Sequence, residues 1–133
     1  MKRTILLTVF CLISIFLLSS FQVSSPKKPH HLILKVTSSD STKEVVFEGS
    51  YILRTDDPKL HNLNQSTPFI IDVHADYMSA IFHKVSGISS LQVDIMSIGD
   101  NHIIEHSALG SGEIILAGSR LGKEGVDCFV EAF

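Results

Sequence analysis

The sequence predicts an all-β fold: a small antiparallel β-sandwich, immunoglobulin-like, of seven to eight strands after an N-terminal export helix. Three observations predict it. Past position 30, apolar residues recur at every second position over short runs, the period of a half-buried strand. Gly, Asn, Asp, Ser and Pro interrupt those runs at short intervals, as turns do in an all-β domain. Past the first 25 residues no stretch carries the 3.6-residue apolar period of an amphipathic helix.

Composition sets the bounds. The chain has 133 residues, enough for one domain. Its mean hydropathy of +0.28 is high for a soluble protein. The first 25 residues account for much of this, with 15 apolar side chains and no acid. The remaining 108 are about 41% apolar, an ordinary globular level. They carry 9 Lys and Arg against 14 Asp and Glu, a net −5 where the whole chain has −3. These figures exclude a multidomain enzyme, a polytopic membrane protein and a highly charged disordered chain. A mildly acidic body without a basic run also excludes nucleic acid as the main partner.

The N-terminus has the order of an export signal: Lys2 and Arg3, an apolar run over 5–18, then a small, polar exit over 19–25. Val23 and Ser25 suit a cleavage site, but Pro26 follows it and disfavours cutting. The apolar span 4–21 is 18 residues, just long enough to cross a bilayer. A cleaved signal and a retained anchor, with membrane association through this segment, therefore both remain open. The expected organisation is 1–25 signal or anchor, 26–31 linker and 32–133 sandwich, exported to the periplasm or secreted.

The strands follow in order. Leu32, Leu34 and Val36 share one face. A polar break over 38–41 leads to a strand over 43–54, where Val45, Phe47, Tyr51 and Leu53 alternate with polar residues and Gly49 suggests a bulge. Residues 55–67 read as a long polar connection. Pro68 opens a strand whose Phe69, Ile71, Val73 and Ala75 point inward and Asp72, His74 and Asp76 outward. Residues 78–85 read as a strand or a helical turn, and 91–98 as a strand with Leu91, Val93 and Ile95 inside. Gly99-Asp100-Asn101 makes a hairpin turn into a return strand over 102–107. Leu109 to Gly112 reads as a turn, 113–117 as a strand and 126–130 as a last edge strand. Cys128 is the only cysteine outside the export segment. It has no internal disulfide partner there and reads as a small buried apolar side chain.

Several motifs suggest chemistry. His102-Ile103-Ile104-Glu105-His106 matches the H-x-x-E-H pattern of a zinc hydrolase, which needs both histidines on one helical face. In a strand, positions 102 and 106 lie about 13 Å apart, too far to share a metal. Asp72, His74 and Asp76 become ligands only if a neighbouring strand adds to them. These five residues are the metal candidates, and a solvated strand face is the default. No phosphate loop or nucleophile elbow is present, so no cofactor and no catalytic residue is assigned. Ile70, Met96 and Ile98 fall on outward positions. They predict either a small apolar docking patch or a face covered by the tail, with Val126, Phe129 and Phe133.

The layout resembles the MmpS family (mycobacterial membrane protein, small) over positions 36 to 119. The resemblance rests on K-V-T, V-V-F-E-G-S-Y, P-F-I-I-D-V, L-Q-V-D-I with a glycine turn, and H-S-A-L-G-S-G. It implies an N-terminally anchored, extracytoplasmic β-sandwich that accompanies a lipid or siderophore exporter. The functional expectation is a small exported β-sandwich with a non-catalytic binding or structural role. Its partner would be an unknown protein or envelope component. The alternatives are a membrane-anchored accessory subunit of an envelope transport complex and a metal-dependent hydrolase.

Overall fold

Leu32, Leu34 and Val36 are fully buried while the residues between them are half-exposed. The same alternation runs through Met78, Ala80 and Phe82, and through Leu91, Val93 and Ile95. These strands therefore have one apolar side each, and two sheets set those sides against each other. The computed structural model describes residues 29–122 and 126–133. The expected export segment, with its cleavage site and anchor, lies outside them. Among the described residues no helix is long and apolar enough to cross a membrane.

The strands are β1 (His30–Ser38), β2 (Val46–Arg54), β3 (Leu60–Ser66), β4 (Phe69–Ala75), β5 (Tyr77–Ser86), β6 (Leu91–Ile98), β7 (Ile104–Gly112), β8 (Ile114–Leu121) and β9 (Val126–Ala132). They form a four-stranded sheet, β4-β1-β6-β7, and a five-stranded sheet, β3-β2-β5-β8-β9. Every pairing is antiparallel. The core lies between the layers. Phe82 meets the ring of Phe47 edge-on at 5.7 Å, and Phe47 meets Phe69 at 6.1 Å, which ties the five-stranded sheet to β4. Burying a side chain of this size is worth about 1.5–3 kcal/mol.

Several expectations change. There are nine strands among the described residues, more than the seven to eight predicted. Part of the 55–67 connection is β3, whose polar residues suit an edge where only Leu63 packs on the core. Residues 78–85 belong to β5 and form no helical turn. The first strand starts at His30, inside the expected linker. Gly49 pairs regularly with Leu63 and Phe82, and the register shift lies at Val46/Phe47. A Cβ on Gly49 would meet the Ile81 carbonyl and the Phe82 ring, so the position needs a bare backbone and not a bulge. His102 stands in a short 3-10 turn, and β7 runs on through Gly112. The tail strand β9 joins the five-stranded sheet, so it does not cover the outer face of the other one.

The sheets also meet at one flank, where β9 packs beside β7. Polar groups buried between the layers mostly bond to backbone. Thr67 accepts from the Val45 N–H at 3.1 Å, and Ser119 accepts from the Met78 N–H at 2.9 Å.

Candidate functional site

One end of the sandwich collects the residues with chemistry. The four-stranded sheet brings His30 opposite Ala75 and His31 opposite Ile98. The five-stranded sheet brings Arg54 opposite Tyr77 and Leu121 opposite Val126. The Asp76 N–H donates to the Arg54 carbonyl at 2.9 Å and ties the two sheets together there. Three adjoining grooves follow this end from one outer face to the other.

The first groove, of about 450 Å³, is lined by His30, His31, His74, Asp100, His102 and Glu105. His31 and His74 face each other across the β1–β4 pair and stack with centroids 4.7 Å apart and planes 11° from parallel. His31 Nε2 donates to an Asp72 carboxylate oxygen at 2.7 Å. The second groove, of about 540 Å³, opens between the sheets and shares His30 and His74 with the first. Asp76, Arg54 and Tyr77 complete its wall.

The third groove, of about 560 Å³, lies on the outer side of the five-stranded sheet. Ile52, Arg54, Tyr77, Ser79, Arg120 and Leu121 line it. The Arg54 guanidinium sits 5.5 Å from the centre of the Tyr77 ring, and that of Arg120 sits 5.9 Å from the Phe129 ring. Phe129 in turn covers the bare Gly118 opposite it, where a Cβ would come within 2.9 Å of the ring. An apolar band leads away from this groove. Leu60 pairs with Ile52, Ile81 pairs with Leu116, and Ile114 follows on β8. Ile52 is 41% exposed, Ile81 44% and Leu60 64%.

The residues singled out in the sequence are distributed over this frame. His74 and His102 line the same groove, and Asp72 binds His31 beside it. Asp76 lies past the end of β4 in the second groove and not on the strand face. His106 pairs with Ser97 on β6 and stands 3.8 Å from an Asp127 oxygen on β9, so the structure does not bring it together with His102. The register shift at Ser97/Ile98, which leaves Glu105 unpaired, turns the two histidines to different sides. Among the described residues no three His, Cys, Asp or Glu side chains are grouped so that they could hold a metal ion. Ile70 is 57% exposed, Met96 is 8% exposed, and Ile98 is half-buried at the first groove. Ile33 stands across from Met96, between it and Asp72.

Cys128 is half-buried, with its thiol 3.8 Å from the His106 carbonyl. Burial pushes the thiol up to about 11, and the carboxylates of Asp127 and Asp94 add to the rise. That suits a packing residue and not a nucleophile.

Sequence reasoning missed Arg54, Arg120 and the apolar band. The signal was present in Ile52, Ile81, Ile114 and Leu116, which occupy outward positions of alternating strands. No family model, curated protein or solved structure matches the chain.

Proposed function

We propose that the chain is an exported, non-catalytic binding domain that works through the outer face of its five-stranded sheet. The observation that supports this most is the exposed apolar band of Leu60, Ile52, Ile81 and Ile114, which runs into the groove beside Arg54 and Arg120. A soluble domain gains nothing from leaving such a band in water, whereas a binding face uses it. The export pattern of residues 1–25 supports the compartment. The immunoglobulin-like character of this reading lies in the two packed sheets and not in strand order, since β1 and β2 stand in opposite sheets.

A second reading, an anchored accessory subunit of an envelope transport complex, draws on the MmpS-like layout and on where the chain enters the fold. Pro29 and His30 lie at the grooved end. If residues 4–21 form an anchor, the eight residues from 22 to 29 reach at most about 29 Å, so that end would face the bilayer.

The test is photo-crosslinking in producing cells, with the reactive group placed at Ile81 and, as a control, at Thr37 near the far end of the other sheet. The expected result is one chemically defined adduct at Ile81 and none at Thr37. Equal labelling at both positions, or a hydrolytic activity abolished by changing His74 or His102, would overturn the reading.

A further inference from the structure

The third groove differs from the other two in charge. Its lining holds two guanidinium groups and no carboxylate, on a chain whose net charge is −3. Among the described residues Lys59 and Lys84 form ion pairs and His31 and His106 lie beside carboxylates, whereas neither Arg54 nor Arg120 has a carboxylate at ion-pair distance. Both guanidinium groups instead lie over aromatic rings, a cation–π contact that does not use up their N–H donors. Ser79 lies opposite Ile52 on one side and Gly118 on the other, and it adds a hydroxyl at the groove. The exposed apolar side chains of the lining are Ile52, Pro58 and Leu121, while Leu53 and Met78 turn to the core beneath it. Beyond it the band continues through Ile81 and Leu116. A groove of about 560 Å³ falls within the range that small-molecule sites occupy.

We infer that this groove binds an amphiphile with an anionic head and an alkyl chain. Arg54 and Arg120 take the head by charge-assisted hydrogen bonds, and the chain lies along Ile52, Ile81 and Leu116. A neutral partner would leave the N–H donors of both exposed guanidinium groups bonded to water only, and would draw nothing from their charge. A small inorganic anion would leave the apolar band exposed. The amphiphile satisfies both, and a carboxylate or a phosphate head meets the same two donors. The inference rests on the reading that this face binds, and it names the ligand class.

The experiment uses the full chain, with the Nε–H resonances of Arg54 and Arg120 followed by NMR. Decanoate and decyl phosphate are titrated below their micelle concentrations, with decanol as the neutral control. The expected result is a saturable shift of both arginine signals with each anion, and binding at least tenfold weaker for decanol. A tenfold preference between the two anions supports the inference and names the head group. The double variant Arg54→Gln with Arg120→Gln is expected to lose at least tenfold in affinity for the anions and to leave decanol binding unchanged. Arg54→Lys with Arg120→Lys, which keeps the charge and the exposed positions, is expected to fall between. Decanol binding as tightly as decanoate would overturn the inference, as would undiminished affinity in the double variant or still arginine signals. If crosslinking at Ile81 persists while neither anion shifts the arginines, the ligand class is wrong and the binding face stands. If both fail, the binding face is wrong as well.

Discussion

The thiol of Cys128 points at the backbone carbonyl of His106, 3.8 Å away, across the flank where β9 of one sheet packs beside β7 of the other. Partial burial and two nearby carboxylates raise this thiol from 9.0 to about 11. In the folded protein the thiolate fraction near neutral pH is therefore about 100-fold below that of an unfolded chain. Iodoacetamide at pH 7.5 is expected to modify the peptide containing Cys128 slowly in the native protein and rapidly in urea. Peptide mass mapping over time measures this, and equal rates would contradict the packing role. The sign for stability follows. The folded chain favours the neutral thiol, so this contribution is complete below about pH 9 and is lost as pH rises towards 11. Urea midpoints are expected to fall over that interval, and less so in Cys128→Ala.

Phe82 is fully buried and meets Phe47 edge-on at the centre of the core. Truncating it removes apolar area and leaves a cavity that two rigid sheets cannot close. Phe82→Ala is expected to cost about 3–5 kcal/mol in equilibrium unfolding. A cost below about 1 kcal/mol would mean that the sheets do not pack through this ring.

Gly49→Ala tests the same contact from the other side. The new methyl would sit 2.8 Å from Phe82 Cδ1 and closer still to the Ile81 carbonyl. The expected loss is about 1–3 kcal/mol, the range for overfilling a packed core. Denaturant melts that leave the midpoint unchanged would show that β2 and β5 lie farther apart.

Met96 and Ile70 both occupy outward positions of the four-stranded sheet, yet their exposures are 8% and 57%. Met96→Ala is expected to destabilise by about 2 kcal/mol or more, and Ile70→Ser by about 0.5 kcal/mol or less. Thermal unfolding of the two variants side by side checks the ordering.

His102 adopts a φ of 58°, directly after Asn101 at 59°. A positive φ costs any residue that carries a Cβ, less for Asn and His than for most, and glycine escapes that cost. His102→Gly is expected to raise stability by about 0.5–1 kcal/mol, despite the greater freedom glycine gives the unfolded chain. Destabilisation in a urea titration would show that the imidazole makes contacts that outweigh the strain.

The layered all-β architecture was legible because burial in a sheet is written at period two. Leu32-Leu34-Val36 and Leu91-Val93-Ile95 announced the core without ambiguity. β3 was hidden because an edge strand with little packing has no need of apolar residues, and His61, Asn62 and Asn64 look like loop. The turn at 99–103 shortened the return strand at its start, since two left-handed residues leave no mark in composition. At the grooved end, Asp72, His74 and His102 were legible as side chains worth following. That His31 would stack on His74 depended on strand register, which alternation alone does not specify. Arg54 and Arg120 lie far apart in sequence and meet at one groove only because β5 pairs with both β2 and β8.

The contact between β7 and β9 has a consequence for self-association. A free strand edge recruits extended chains, and unprotected edges are where sheet proteins polymerise. On one flank these two edge strands shield each other. Lateral growth is left to the opposite flank, where β3 and β4 are the terminal strands. There β3 offers Asn62, Asn64 and Gln65, with Pro68 interrupting the chain before β4. Propagation into a fibril needs two receptive sides on every subunit. A molecule whose free edges, β3 and β4, both lie on one flank can be capped there but cannot be extended from the other side.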